Sequence, residues 1–147
     1  MNLYAESSAV LAWLLGEPTG LLVQELLSTA SSVFASDLTL VESDRVLIRS
    51  TVAGRISEAE AANRRAHLSR VSGHWNLVRI SDEIASRARR PFPVEPIRTL
   101  DALHLASALV VRAAEPELTM LSLDERVRDC TLALGLDLLP EQTSTSL

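Results

Sequence analysis

Leu3-Tyr4-Ala5-Glu6-Ser7-Ser8-Ala9-Val10-Leu11-Ala12-Trp13-Leu14-Leu15-Gly16 is the stretch whose reading decides the fold. Leu3 to Ala5 is a short apolar run, which predicts a strand. Glu6-Ser7-Ser8 then supplies side-chain oxygens of the kind that cap a helix, expected over residues 9–15 and ended by Gly16 and Pro18. A strand that runs directly into a capped helix is the repeating half of a parallel α/β sheet.

The same alternation continues along the chain. Leu22, Val23, Leu26, Leu27 and Ala30 form a helical stripe within residues 19–30, and Val33 to Ala35 reads as a second strand. A long helix is expected over residues 37–52, with Leu38, Val41 and Ile48 near one face and Gly54 as its stop. Ser57-Glu58-Ala59-Glu60 matches a capping box and opens a helix ending near Gly73. Residues 76–80 suggest a third strand, and Ser81-Asp82-Glu83 starts another helix. Pro91, Pro93 and Pro96 enforce an irregular, stiff loop. Residues 99–112 are apolar almost all round, which predicts a central, buried helix. A fourth strand over 118–121, a helix over 124–134 and a last strand over 135–139 complete the pattern. The expected fold is therefore one α/β domain over residues 1–140, with a mainly parallel sheet of four to five short strands covered on both faces. Residues 141–147 read as a polar C-terminal tail.

Composition removes several classes. The chain has 147 residues, 47% of them hydrophobic, and a net charge of −5, which argues against disorder and against a protein that coats nucleic acid by net charge. Every basic residue is Arg. The single Cys130 excludes a disulfide scaffold and reads as a small buried hydrophobe. The longest strictly apolar run, Ala9 to Leu15, is too short to span a bilayer, so no membrane association is expected. The opening residues carry no basic region of a signal peptide, and the expected compartment is the cytoplasm.

In an open parallel sheet, chemistry gathers beyond the carboxyl ends of the strands. Glu6, Glu42, Asp101 and Asp124 all fall in helix starts or early turns that follow strands or the proline loop. Taken singly, each carboxylate can be a helix-dipole partner worth about 0.3–1 kcal/mol, and Ser122-Leu123-Asp124-Glu125 also matches a capping box. Asp101 fits that plain reading least well, because Leu100, Ala102 and Leu103 surround it in the most apolar helix. A buried carboxylate is costly unless it is paired or binds a cation. If the four acids converge, their mutual repulsion calls for a cation, and an all-oxygen set favours Mg²⁺ or Mn²⁺ over zinc.

These segments resemble the PIN-domain nucleases, above all the small VapC-type toxins of bacterial toxin–antitoxin pairs. The resemblance rests on Tyr4-Ala5-Glu6-Ser7-Ser8-Ala9, on Ser36-Asp37-Leu38-Thr39-Leu40-Val41-Glu42, and most specifically on Arg98-Thr99-Leu100-Asp101-Ala102-Leu103-His104-Leu105-Ala106-Ser107-Ala108. Leu121-Ser122-Leu123-Asp124-Glu125-Arg126 and Ala133-Leu134-Gly135-Leu136 complete it, in the family's order and over nearly the whole chain. It implies a three-layer α/β/α fold and a metal-dependent endoribonuclease that hydrolyses RNA phosphodiester bonds. Glu6, Glu42, Asp101 and Asp124 would be its catalytic and metal-binding acids, with Mg²⁺ or Mn²⁺ as cofactor. It also implies a homodimer and a small VapB-like antitoxin partner.

One departure matters: the family's first acid is normally Asp, and this chain has Glu6, longer by one methylene. That leaves open a catalytically weakened or inactive PIN-fold protein that binds RNA or a partner. An unrelated phosphatase or phosphotransferase is a further alternative, without a Gly-rich phosphate loop to support it.

Ser8 and Ser122 sit where the family's motifs place hydroxyls beside the acids, with helix capping as the competing role. His104, one turn after Asp101, reads as a hydrogen-bonded structural histidine. Arg45, Arg49 and Arg98 could meet RNA phosphates at the rim, against the plainer reading of a solvated arginine surface. Trp13, Leu14 and Leu15 read as core, with an antitoxin groove as the lesser alternative.

Overall fold

Side chains on a strand alternate between the two faces of its sheet, and the first strand does so with apolar residues on both. A computed structural model describes residues 1–142; the last part of the expected tail, residues 143–147, lies outside the described residues. In β1 (Asn2–Ala5), Leu3 and Ala5 point into one hydrophobic cluster and Tyr4 into another, and all three are fully buried. Such a strand can only be central.

The order of elements is β1, α1 (Ser7–Leu14), α2 (Gly20–Thr29), β2 (Ser32–Ser36), α3 (Asp37–Val52), α4 (Glu58–Ser72), β3 (Asn76–Val78), α5 (Asp82–Ala88), α6 (Thr99–Ala114), β4 (Thr119–Leu121), α7 (Glu125–Ala133) and β5 (Asp137–Leu139). All strand pairs are parallel, in the order β3-β2-β1-β4-β5, with Leu3 opposite Val33 on one side and Thr119 on the other. One face carries α1 to α4 around Val10, Leu14, Val23, Leu47 and Leu68. The other carries α5 to α7 around Ile84, Leu105, Met120 and Val127. This is the expected three-layer α/β/α fold.

Local chemistry explains the element ends. Ser36, Ser57 and Ser81 cap α3, α4 and α5 by accepting backbone N–H bonds from Leu38, Glu60 and Ile84, each cap worth about 1 kcal/mol. The close approach of α1 and α2 depends on Gly20, where a β-carbon would lie 2.5 Å from the Ala12 carbonyl oxygen. Strands are shorter than their apolar runs suggest at β3, β4 and β5, because only residues in ladder register count.

Two expectations are corrected. On α3, Val41 and Ile48 are exposed, and the inward face is carried by Thr39, Ser43 and Leu47. The α6 helix is central but not buried all round, since Leu100 is 45% exposed. Among the described residues, no helix is long and apolar enough to cross a membrane.

Candidate functional site

The sheet order reverses at β1: successive strands step outward to β3, then the chain returns to place β4 on the other flank. A cleft opens at the carboxyl ends on either side of such a switch point. Here it is a cavity of about 480 Å³ lined by Glu6, Ser7, Ser8, Leu11, Glu42, Arg98, Thr99, Leu100, Asp101 and Asp124. All four acids singled out in the sequence line this one cleft.

Glu6 follows β1 directly, and its backbone N–H continues the β1–β4 ladder to the Leu121 carbonyl at 3.0 Å. Its carboxylate turns back over the first turn of α1 as the N-cap. One oxygen accepts from the Ser8 backbone at 3.1 Å, from the Ser122 hydroxyl at 2.8 Å and from the Ser8 hydroxyl; the other oxygen accepts from Ser7 at 3.1 Å. Glu6 is 4% exposed, yet its carboxylate is saturated by polar partners. The Ser8 hydroxyl also accepts from the backbone N–H groups of Leu123 and Asp124, which binds the start of α1 to the loop after β4.

That loop corrects the capping-box reading of Ser122-Leu123-Asp124-Glu125. Asp124 is the N-cap of α7, accepting from Arg126 and Val127, whereas Ser122 serves Glu6. The loop is pinned from beneath by Arg128, which no motif or pattern in the sequence marks. Its buried guanidinium donates to the carbonyls of Ser122 at 2.7 Å and Pro140 at 2.8 Å.

Asp101, in the first turn of α6, and Asp124 face one another across the guanidinium of Arg98. Nε of Arg98 lies 3.4 Å from Asp101 and Nη2 lies 3.7 Å from Asp124. Burial first, and then the charge of Asp124, lifts the Asp101 carboxyl above its ordinary value; Arg98 partly opposes this. Arg98 is therefore not a free surface cation: it bridges two acids while keeping an exposed side chain. Arg45 and Arg49 are exposed and line an adjoining groove with Leu11, Leu38, Val41, Val46 and Leu100, which shares Glu42 with the acidic cleft.

Glu42 comes in from α3. One of its oxygens lies 2.6 Å from Nε2 of His104, and the other lies 3.1 Å from the Ser7 hydroxyl, whose single proton is shared between Glu6 and Glu42. His104 is fully buried and hydrogen-bonded, and its Nδ1 lies 3.1 Å from the Tyr4 hydroxyl. Burial pushes the Tyr4 phenol far above its ordinary range, so that hydroxyl keeps its proton. Ser7 was not foreseen as a site residue; its signal was only its place beside Glu6. Trp13 and Leu14 are core, with Trp13 edge-on to His67, and Cys130 is buried with its thiol pushed up by burial.

Whether this cleft suits a divalent cation depends on its donor set. Among the described residues, no three His, Cys, Asp or Glu side chains are grouped closely enough to enclose an ion by themselves. Mg²⁺ does not need such a cage, because it keeps several waters and is commonly held by one or two carboxylates. Asp101 and Asp124 already hold a cationic group between them, and every acid in the cleft offers hard oxygen. The residues fit Mg²⁺ or Mn²⁺.

Fold and cleft together define a parallel α/β protein with an acidic site at its switch point. The PIN domain profile matches residues 3–130, and the chain belongs to the PIN domain family. It is similar to Ribonuclease VapC46 of Mycobacterium tuberculosis, at 30% identity over 91% of this chain and 93% of that one. Among solved structures it is similar to VapC20 of Mycobacterium tuberculosis, described as a sarcin–ricin loop cleaving toxin. The TM-score is 0.63 at 16% identity, covering 91% of this chain and 95% of that one. VapBC2 of Rickettsia felis, solved bound to a DNA fragment from its promoter, gives a TM-score of 0.64 at 14% identity, covering 97% and 100%.

Proposed function

We propose that this chain is a metal-dependent endoribonuclease of the VapC type, the toxin of a toxin–antitoxin pair. The observation that carries the reading is the convergence of Glu6, Glu42, Asp101 and Asp124 on one cleft, with a guanidinium between the last two. Asp101, Asp124 and Glu42 would hold Mg²⁺ or Mn²⁺, directly or through its waters, with Glu6 completing the acidic wall. When bound, the ion supplies Lewis acidity and charge neutralisation toward a phosphodiester.

The chain's own residues do the rest. Ser7, Ser8 and Ser122 fix the Glu6 carboxylate, so its position costs little reorganisation during reaction. Arg98 exchanges its acid partners for a phosphate oxygen when the cleft is loaded, and Arg45 and Arg49 hold the RNA backbone along the adjoining groove. Ser7 lies 3.1 Å from Nε2 of His104, but that nitrogen also meets the Glu42 carboxylate at 2.6 Å and so is not free to take the serine proton; water is the attacking group in this reading. The partners proposed are RNA, a small VapB-like antitoxin and a second copy of the chain, in the cytoplasm.

One observation favours a second reading, a PIN-fold protein with weakened catalysis that binds RNA or a partner: Glu6 is drawn back into its own helix cap. An RNA cleavage assay with Mg²⁺ and Mn²⁺, with and without a chelator, separates the two. Cleavage that needs the metal and is lost in Asp101→Asn supports the nuclease. Retained RNA binding without cleavage at any metal concentration supports the binding protein.

A further inference from the structure

The buried line of hydrogen bonds running from β1 through α6 to α3 has no counterpart in the nuclease chemistry described above. His104 is fully buried in a helix whose other inward residues are mostly apolar. A polar ring in that place is costly unless both nitrogens are satisfied. They are: Tyr4 at Nδ1 and Glu42 at Nε2, at 3.1 and 2.6 Å. Directionality follows from the ends of the line. The Glu42 carboxylate can only accept, so Nε2 carries the ring proton and donates to it, which leaves Nδ1 as the acceptor facing the Tyr4 hydroxyl. Ser7 lies 3.1 Å from the same Nε2 and from both Glu6 and Glu42, so the two acids of this wall share one set of supports.

We propose that His104 is a positioning residue that aims the Glu42 carboxylate into the cleft, held in the required tautomer by Tyr4. The inference rests on the reading that Glu42 belongs to the metal site. Glu42 is a flexible side chain on the first half of α3, partly open to the cleft, and needs a rigid anchor to present a fixed oxygen there. The buried ring supplies that anchor. Partners that orient metal-site groups are typically worth about 10–100-fold in metal affinity or activity.

The test uses amide replacements that differ in reach. In His104→Gln the side-chain amide extends to the place of Nε2 and can still donate to Glu42. In His104→Asn it reaches only the place of Nδ1. Calorimetric titration of the whole chain with MnCl₂, beside thermal melts, should show His104→Gln retaining most of the affinity and His104→Asn losing about 10–100-fold. Equal affinities for the two variants, or losses that follow melting temperature rather than amide reach, would overturn the proposal. Should the Asn variant not fold, the ¹⁵N spectrum of the wild-type imidazole decides: a protonated Nε2 is expected, and a bare Nε2 would sink the idea. Glu42→Gln separates the two layers of the argument. If it weakens Mn²⁺ binding and His104→Asn does not, only the positioning role fails. If it leaves binding unchanged, the assignment of Glu42 to the metal site fails, and the role of His104 falls with it.

Discussion

Glu6 is one methylene longer than the aspartate its family places after the first strand, and the fold accommodates the extra length by curling the carboxylate back onto the first turn of α1. Three donors then meet one oxygen, Ser122 among them. That set is built around the longer side chain. Glu6→Asp is therefore expected to lose the Ser122 bond, to destabilise by roughly 1.5–3 kcal/mol as a charged hydrogen bond, and to weaken Mn²⁺ binding severalfold by freeing the Asp124 loop. Tighter binding in calorimetry would show instead that the shorter acid restores a better site. Asp101 gives a prediction of the opposite sign for stability. Its folded-state carboxyl titrates above that of the unfolded chain, by burial and the charge of Asp124. The resulting penalty on the folded state is absent below the unfolded value and fully present once pH passes the raised folded value. Asp101→Asn should thus melt at the same or a higher temperature at neutral pH, with the advantage fading in acid, while cleavage is abolished. Joint loss of fold and cleavage would make Asp101 a structural residue.

On the scale of elements, α3 shows what patterning can and cannot reveal. Its bounds, Asp37–Val52, are legible because Ser36 caps one end and Gly54 follows the other. Its inward face is not legible, because the apolar stripe of Val41 and Ile48 faces out while Thr39 and Ser43 face in. Their buried hydroxyls have no hydrogen-bond partner among the described residues. An unsatisfied buried hydroxyl costs about 1–3 kcal/mol by protein mutational data. Ser43→Ala should accordingly hold or raise the unfolding free energy, by up to about 1 kcal/mol, read as an unchanged or higher denaturant midpoint, although it removes a polar group from the middle of the fold. A loss of more than that would mean that Ser43 has a partner, such as an ordered water. The same limit explains the site. Glu6, Asp101 and Asp124 were legible because each stands at a helix start after a strand or loop, and Glu42 because it follows in the second turn of α3. Ser122 was legible as a hydroxyl beside an acid, but not that its acid would be Glu6, 116 residues away, because only the β1–β4 pairing brings the two together. Arg128 was not legible as the clamp on the Ser122 loop, because nothing in the pattern of α7 marks that arginine as buried.

For the whole molecule the question is how a chain with a net charge of −5 holds a polyanion. Long-range attraction cannot do it; the local arginines must. Arg45 and Arg49 line the groove that adjoins the cleft, and Arg98 stands at its mouth between Asp101 and Asp124. Single-stranded RNA releases about 0.7 counterion per phosphate neutralised, so three contacts imply a slope of roughly −2 for log affinity against log salt. That is shallow for a nucleic-acid binder, and it makes a measurable statement about footprint. With Ca²⁺ replacing Mg²⁺ to suppress cleavage, fluorescence anisotropy on a short RNA between low and moderate salt should return that slope. The double variant Arg45→Ala with Arg49→Ala should flatten it to about −0.7, weakening binding alike across RNA sequences because phosphate contacts carry no base information. An unchanged slope would move the RNA path off the α3 groove. A slope steeper than about −4 would require a basic surface larger than one acidic chain presents, and so a substrate path running across a second copy.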